Sequence, residues 1–491
     1  MKKQPEAYLK LEKEYFDTVA EKHLSKNLCY YVWKVLIAMS RGYSFNLSHT
    51  LAYSIVGLQE MNLAFRFPII FWNCACLITD SGGIEEGNTD YKKIAVAIGQ
   101  TISENIKVAL PDINTSNYTF TPDPENNQIF FGLSGILNVG EDVIQNIIKN
   151  RPYTSIKDFC NKVSANKQAM ISLIKSGAFD NLEGDRKMIM AWYIWQTCDK
   201  KKRLTLQNLN GLMQKDLIPK EEEYELPKRV YEFNRYLKAI CKIDQNTYQA
   251  DERAIAFLEE IEQENLISSD LTIAAKSWDK VYQNYMDVFR NWIKANHDIV
   301  LQKLNDLIFK EDWVKYALGS LSSWEMEVLC FYFHEHELQN VNKMKYGLID
   351  FNQLPEIAPI DRTFQKGGKT INLYKIYKIC GTCIAKNKDK SSISLLTTSG
   401  VIEVKFRKEH FAIFDKQISK RQPDGSKKII ERSWFNRGNL LIIQGIRNGN
   451  SFTAKKYAST PGHTLYKITE VKPNGDLSLK DEREKGDEDN G

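Results

Sequence analysis

The sequence predicts a multi-domain α+β protein that is mainly α-helical over its N-terminal two-thirds and carries a β-barrel towards its C-terminus. Length is the first observation: 491 residues exceed one ordinary core, since domains commonly span about 100 to 200 residues. The second is apolar spacing typical of helices from Tyr8 to about Phe65 and again from Glu141 to about His336, separated by an extended linker at Leu110 to Asn127 and a short strand at Gln128 to Leu133. The third is a change from Ile371 to Val471 to short β-branched runs separated by turn residues, which predicts a small antiparallel barrel or sandwich.

Composition limits the class of protein. Hydrophobic residues make up 43% and charged residues 26% of the chain, which excludes a mainly disordered or fibrous protein. Nine scattered cysteines and a start without an apolar signal segment predict the reducing cytoplasm, of a bacterium or of an infected host cell. The most apolar window, Met61 to Thr79, contains Asn62, Arg66 and Pro68, so we expect a buried helix and no membrane contact.

Positive charge is concentrated in one part of the chain. The formal net charge is only +5, but the segment from Ile371 to Lys472 holds 20 Lys and Arg against 7 Asp and Glu. An excess of this kind is typical of a surface that binds a polyanion, and it points to nucleic acid as a partner. The charged end of the chain, Lys480 to Gly491, is expected to be disordered.

The N-terminal helices are predicted from apolar spacing. Two amphipathic helices are expected between Tyr8 and Ala38, with a break near Ser25. A long apolar helix from Leu51 to Phe65 follows, and Pro68 ends or restarts it.

A short polar loop precedes this long helix. Its side chains could meet a nucleotide phosphate or a template base at the helix N-terminus. An ordinary capping loop with a hydrogen-bonded histidine would give the same pattern, and spacing alone favours that simpler interpretation. The candidate residues are Tyr43, Ser44, Asn46, Ser48 and His49.

Two helix-turn-helix segments resemble each other in sequence pattern. Gly132 to Ile148 has an apolar turn with Val139-Gly140 and then a helix, which is typical of a helix-hairpin-helix. Gly lets the backbone approach a phosphate, and the amides at the helix start can donate to it. An ordinary Gly turn is the alternative, but Lys167 to Leu182 repeats the pattern and favours a paired motif. The duplex-binding candidates are Gly135, Val139, Gly140, Lys175 and Gly177.

Basic residues alternate with aromatic ones in the C-terminal barrel. Basic groups can follow the phosphates of a single strand while aromatic rings stack on its bases. The alternative is a solvated basic surface over a core that uses Phe406, Phe411 and Phe414, and most of these three rings are expected in the core. The single-strand candidates are Lys386, Lys388, Lys405, Phe406, Arg407 and Lys408.

No catalytic or metal-binding residue is predicted. The sequence lacks a Walker loop, a nucleophile elbow, a metalloprotease helix and a dinucleotide Gly pattern. Paired carboxylates for two-metal phosphoryl transfer are not evident in any strand-like segment. Cys380 and Cys383 have zinc-like spacing and His334 and His336 could add ligands, but a second knuckle is missing.

Taken together, these motifs resemble the C-terminal half of the bacterial DNA polymerase III alpha subunit, the family C replicative polymerase. Ser40 to Ala52 is similar to its fingers motif, with Leu47 where the family has a Lys that contacts phosphate. Tyr153 to Phe159 and Leu173 to Leu182 resemble its helix-hairpin-helix phrases. Trp324 to His336 resembles the phrase before its OB-fold, whose strands match Tyr377 to Phe406 and Gly438 to Tyr457.

The resemblance implies a division of the chain into five parts. They are an outer fingers portion at 1–108, a helix-hairpin-helix domain for duplex and clamp binding at 109–215, a helical insert and connector at 216–355, the OB-fold at 356–472, and an acidic disordered tail at 473–491. The family's sliding-clamp peptide has its nearest match in Gln207 to Met213, which lacks the usual aromatic residue; the candidate contacts are Gln207, Leu212 and Met213.

The resemblance also implies a function. The palm, with its metal-binding aspartates, would have to come from a partner chain, and Mg²⁺ would bind there. The expected function is the DNA-binding part of a split replicative polymerase, encoded by a virus or by a cell, which holds primer-template duplex and single-stranded template. A non-catalytic DNA-binding accessory protein of the replisome is the alternative, and a truncated product without function is a third.

Overall fold

The computed structural model describes residues 5–37, 47–81, 90–422 and 427–484. They divide into two compact units, which are described separately. One contains the chain up to Cys76 together with Pro124–Asn127, and the other contains Leu77–Asp123 and everything from Gln128 onward.

The first unit is helical. Its helices are α1 (Pro5–Glu21), α2 (Lys26–Tyr31, continued by a π-helical turn to Ile37), α3 (Leu47–Arg66) and the start of α4 (Ile69–Asp80). The predicted break near Ser25 and the restart at Pro68 are confirmed. Tyr15 stacks on Trp33 with ring centroids 4.8 Å apart and joins α1 to the turn after α2.

The apolar window from Met61 to Thr79 is only partly buried. In α4 the expectation holds for one face, because Ile70, Cys74 and Leu77 are buried while Ile69, Phe71 and Trp72 are exposed. In α3 it is wrong: Met61 and Phe65 are exposed, Phe65 to 92%. The sequence could not distinguish these cases, since apolar residues occur on every side of both helices.

The helix-hairpin-helix region follows α5 (Tyr91–Ser103) and a small sheet of three strands. In that sheet β3 (Gln128–Phe130) lies parallel to β1 (Lys107–Ala109) and antiparallel to β2 (Thr121–Asp123). Five helices come next: α6 (Glu141–Lys149), α7 (Ile156–Lys162), α8 (Lys167–Lys175), α9 (Asp180–Glu183) and α10 (Arg186–Thr197). Helix α8 is central, since every residue from Ala169 to Lys175 is buried.

The helical insert is built around one long helix. Its elements are α11 (Leu209–Gln214), α12 (Glu222–Ala239), β4 (Thr247–Gln249), α13 (Glu252–Glu260), β5 (Thr272–Ala274) and α14 (Ala275–Tyr316). Helix α14 is kinked at Asn296 and buries Trp278 and Phe289 against α12 and its neighbours. The connector to the barrel contains α15 (Leu321–Leu329) and α16 (Lys343–Tyr346).

The C-terminal region is a closed five-stranded barrel of OB-fold topology. After the hairpin of β6 (Ile360–Lys366) and β7 (Lys369–Tyr374), the chain forms β8 (Tyr377–Asn387), β9 (Ser392–Thr397), β10 (Gly400–Lys405), α17 (Lys408–Asp415), β11 (Ile418–Arg421), β12 (Lys427–Glu431), β13 (Leu440–Asn448), β14 (Ser451–Ala454), β15 (Leu465–Val471) and β16 (Leu477–Lys480). Strands pair in the cycle β8-β9-β10-β14-β13-β8, and only the β10–β14 pair is parallel. The predicted α+β class is therefore confirmed.

Alternation along the strands decides what fills the barrel and what covers it. Ile402 and Val404 of β10 point into the barrel core, which Trp434 and Phe435 also fill. On the outer face, Ile384, Leu396 and Val401 pack against Ala95 of α5 and Tyr332 of the connector. Protein from the same unit thus covers the outer face around Ile384, Leu396 and Val401, whereas Glu403 and Lys405 further along β10 remain accessible.

A buried ion pair joins the helix-hairpin-helix region to the connector. Glu325 is 0% exposed and accepts a 3.0 Å hydrogen bond from Nη1 of Arg186. Its carboxylate also accepts bonds from the main-chain amides of Phe333 and His334 and contacts the His334 ring at 2.6 Å. Burial lowers the pKa of Arg186, but bonds to Asp180 and Glu325 more than offset this, so its pKa lies above the ordinary value.

Replacing Glu325 should therefore loosen this junction. Glu325→Leu leaves the Arg186 guanidinium buried with half of its anionic partners, and we expect a loss of about 3 to 5 kcal/mol. Hydrogen exchange of the α8 amides reports the loss, since these amides lie beside the pair. Glu260→Leu, which removes an exposed partner of Arg229, is the control and should cost no more than about 1 kcal/mol. Equal effects of the two changes would mean that the buried pair does not hold the junction.

Candidate nucleic-acid interface

The first hairpin has an exposed tip on a buried base. Asn138 and Gly140 are exposed, whereas Ile136 and Val139 are buried. The left-handed residue of the turn is Asn138, with φ of 65°, and Gly140 is extended with φ of −77°. Helix α6 starts at Glu141 without a side-chain cap, so its first main-chain amides remain available to an anion.

Gly140 differs from Gly135, the other glycine of this hairpin that was predicted to contact duplex DNA. A Cβ built on Gly140 meets no atom within 4 Å, while one on Gly135 would overlap with the Phe131 ring. Gly135 therefore serves packing, and its predicted duplex contact is corrected. Gly140 leaves space in front of the helix start, as the duplex-binding prediction requires.

Two carboxylates lie beside the main-chain amides at the start of α6. Glu141 and Asp142 lie in the first turn of α6, and both are exposed. They stabilise the helix end through the helix dipole, but they also repel an incoming phosphate. A phosphate contact here would depend on the main-chain amides at the hairpin tip.

The second hairpin is internal, and its predicted DNA contacts are corrected. Lys175 is 4% exposed and makes a 2.6 Å ion pair with Glu327. Gly177 is buried with φ of 82°, and a side chain there would overlap with Arg186. The second segment repeats the order of helix, turn and helix. However, the groups that duplex DNA would contact are used in packing against α10 and α15.

The barrel uses one predicted stacking residue in its core. Phe406 is 8% exposed and packs with Phe411 and Phe435, so its predicted stacking role is corrected. The alternative interpretation, a core that uses these rings, is confirmed for Phe406 and Phe411.

The predicted basic residues of the barrel have different surroundings. Lys386 and Lys388 both form ion pairs with Asp415, and Lys405 lies 3.8 Å from a carboxylate oxygen of Glu403. A phosphate would compete with these carboxylates. Arg407 and Lys408 are exposed at the start of α17.

The fingers candidates are only partly placed. Tyr43, Ser44 and Asn46 lie outside the described residues. Ser48 and His49 are exposed in the first turn of α3, and the His49 ring lies edge-on to Tyr53 at 5.1 Å. Their predicted role at a nucleotide stays a prediction.

The clamp peptide is folded into the helical insert. Gln207 is exposed in a short 3-10 turn, but Leu212 of α11 is 0% exposed in a core with Ile293 and Leu304. Met213 also packs against a core. The predicted clamp contact through Leu212 is corrected, because the side chain that would anchor it already serves folding.

The zinc-like cysteines point to opposite sides of β8. Cys383 lies in the barrel core and Cys380 packs on the outside, and burial raises the pKa of each thiol to about 12. His336 bonds to the main-chain oxygen of Leu396, and burial lowers its pKa to about 4. Within 5–37, 47–81, 90–422 and 427–484, no group of three or more His, Cys, Asp and Glu is placed to hold a metal ion.

In the same ranges, no helix is long and apolar enough to span a bilayer.

A second basic surface was not singled out from the sequence. The lysine–tyrosine patch consists of Tyr374, Lys378, Lys455, Tyr457 and Tyr466, brought together from three strands and their loops. The segments LYKIYK and KKY carried a signal, namely lysine next to tyrosine, but they are far apart in the chain.

Comparison with known proteins agrees with this geometry. The helix-hairpin-helix motif family matches residues 105–189. "DNA polymerase III subunit alpha" of Campylobacter jejuni is 32% identical over 196 residues, 38% of this chain and 16% of that protein. The chain is homologous to the C-terminal part of the DNA polymerase III alpha subunit.

The homology to two longer relatives extends over nearly the whole chain. "Probable DNA polymerase YorL" of Bacillus subtilis strain 168 is 37% identical over 505 residues, 98% of this chain. "DNA-directed DNA polymerase" of Bacillus phage SPbeta gives the same identity and coverage. The chain spans 38% of the length of each of these two relatives.

The open space at Gly140 gives a direct test of the first hairpin. Gly140→Val should fold normally, because its side chain meets no atom within 4 Å. It should weaken binding to a short DNA duplex about tenfold, since the side chain would keep a phosphate away from the α6 amides. Fluorescence anisotropy with a labelled duplex measures this change. The control is Gly211→Val, which also meets no atom within 4 Å but lies in α11. Unchanged duplex affinity in folded Gly140→Val would assign the hairpin a structural role.

Proposed function

We propose that this chain supplies the DNA-binding portion of a family C replicative polymerase and works with a palm-bearing portion that carries the catalytic carboxylates and Mg²⁺. The observation that carries the proposal is the homology over 98% of the chain to proteins named as DNA polymerases. The exposed tip at Asn138 and Gly140 supports a role at duplex DNA. The barrel would hold the single-stranded template.

Chemistry supports the need for a separate palm. Phosphoryl transfer by two metal ions requires carboxylates that hold the ions about 4 Å apart. Among the described residues, no cluster of three or more metal-ligating side chains is present. The chain's contribution would then be to position primer-template and nucleotide, with Ser48 and His49 at the start of α3 as candidate nucleotide contacts.

The exposed apolar surface of helix α3 supports an interface with a further portion of the polymerase. Leu58, Met61 and Phe65 are exposed, and Leu51 and Ile55 of the same helix are exposed as well. Soluble proteins rarely leave a continuous apolar surface of this kind in water, and such surfaces usually mark interfaces. The two longer relatives carry well over half of their length outside the matched region, so they have protein available to cover this helix.

Primer extension tests the proposed function. The purified chain with primer-template, dNTPs and Mg²⁺ should not extend the primer, because the metal-binding carboxylates would come from the palm. Extension should appear when the part of the SPbeta relative that this chain does not match is added as a second polypeptide. Robust extension by the homogeneous chain alone would contradict the proposal. DNA binding without any extension in the mixture would favour the accessory function.

The apolar surface of α3 can be tested in the same mixture. Leu58→Ser with Met61→Ser and Phe65→Ser should leave the fold intact, since these side chains are exposed, but should abolish association with the palm-bearing polypeptide. Size-exclusion chromatography of the mixture measures association. The control changes Gln59→Ser and Asn62→Ser alter polar positions of the same exposed helix. If both variants associate like the unmodified chain, α3 is not the contact surface.

A further inference from the structure

One half of the lysine–tyrosine patch is centred on Lys455. Its Nζ lies 5.7 Å from the ring centroid of Tyr374 and 5.0 Å from that of Tyr457. The Tyr457 hydroxyl accepts a 2.8 Å hydrogen bond from the Tyr374 amide. Both rings are half-buried, and the hydrogen bond also fixes the Tyr457 ring, so this ring loses little freedom when it stacks on a flat partner.

The other half is Lys378 above Tyr466. The Lys378 Nζ lies 5.8 Å from the Tyr466 ring centroid, and the Tyr466 hydroxyl accepts a 2.7 Å bond from the His463 amide. Gln444 connects the halves, because it pairs with Lys378 across β8 and β13 and its main-chain oxygen accepts a bond from the Lys455 amide. The two halves are thus connected through Gln444 of β13.

Charge distinguishes this patch from three of the five predicted basic residues; within the described residues, Arg407 and Lys408 also lack a carboxylate partner. Over the ranges that the structure describes, neither Lys378 nor Lys455 has a carboxylate partner within ion-pair distance, whereas Lys386, Lys388 and Lys405 each have one. An ammonium group without a carboxylate partner can neutralise a phosphate without first breaking an ion pair. At the edge of the patch, Asp481 lies 3.6 Å from His463, whose amide bonds to Tyr466.

The surface that OB-folds commonly use is partly occupied. Oligonucleotides usually bind across the second and third strands of such barrels and the adjoining loops. Here those strands are β9 and β10, and their outer residues Leu396 and Val401 pack against α5 and Tyr332. On the accessible part of this face, a bound strand would meet the Glu403 carboxylate beside Lys405, which favours another surface.

We propose that the lysine–tyrosine patch binds single-stranded DNA, with Lys378 and Lys455 at phosphates and the rings of Tyr374, Tyr457 and Tyr466 against bases. The nature of the ligand rests on the proposed function. The proposed contact residues are not among the single-strand candidates predicted from the sequence. Basic groups interleaved with aromatic rings are the arrangement that binds single strands without sequence preference.

Two charge-matched double variants of the full chain test the proposal. The probe is labelled oligo-dT of about 12 nucleotides, within the site size of OB-folds, titrated by anisotropy over a range of salt concentrations. Lys378→Gln with Lys455→Gln should weaken binding at least about tenfold and reduce the slope of log K against log salt by about 1.4, or 0.7 for each lost contact. The control, Lys386→Gln with Lys405→Gln, removes the same charge and should stay within about twofold of the unmodified chain.

The aromatic contribution has its own pair of variants. Tyr457→Leu should weaken binding about tenfold with an unchanged salt slope, because a stacking surface is lost and no phosphate contact is. Tyr457→Phe keeps the ring, loses only the bond from the Tyr374 amide, and should bind like the unmodified chain. This pair separates stacking from damage to the local fold.

The possible outcomes distinguish failure of the patch proposal from failure of the proposed function. If the two double lysine variants weaken oligo-dT binding equally, the effect comes from net charge alone. If only the control variant weakens binding, the strand lies near Lys386. Either result overturns the proposal. If the chain binds duplex but not oligo-dT, the patch proposal fails while the proposed duplex function stands. If it binds neither, the proposed function fails as well.

Discussion

The junction between Arg186 and Glu325 is the constraint on which the second unit depends. Glu325 is fully buried and accepts bonds from Arg186, from two main-chain amides and from the His334 ring. A carboxylate in such a place is tolerated only with a cation and several donors around it, because desolvation costs several kcal/mol. The pair therefore fixes α10 against the connector, and the connector leads directly into the barrel.

That junction explains why the two hairpins differ. Packing of α8, α10 and α15 around the ion pair buries Lys175 and Gly177, so the second hairpin supports the first from inside. The first hairpin keeps its tip in solvent, with Leu137 bonded through its amide to the Val328 oxygen at the end of α15. One hairpin is then available for DNA, and the other holds the region in place.

The connector also determines which side of the barrel is free. Tyr332 follows α15 and packs with α5 on the outside of β9 and β10, and its hydroxyl lies 2.8 Å from that of Thr382. The partly covered face and the Asp415 and Glu403 ion pairs favour the lysine–tyrosine patch, a basic surface that combines aromatic rings with lysines that lack carboxylate partners among the described residues. The proposed single-strand site thus depends on packing elsewhere in the unit.

The sequence by itself determined the fold class, the helix breaks at Ser25 and Pro68, and the first hairpin, because turn residues and apolar spacing act locally. The homology to the DNA polymerase III alpha subunit is also evident from the sequence alone. Tertiary structure decided which candidates are accessible: Gly140 is open, while Lys175, Gly177, Leu212 and Phe406 are buried. Burial depends on residues distant in the chain, such as Glu327 for Lys175 and Leu304 for Leu212, and local spacing does not report those contacts. For the same reason, only the closed barrel brought Tyr374, Lys378, Lys455 and Tyr466 together.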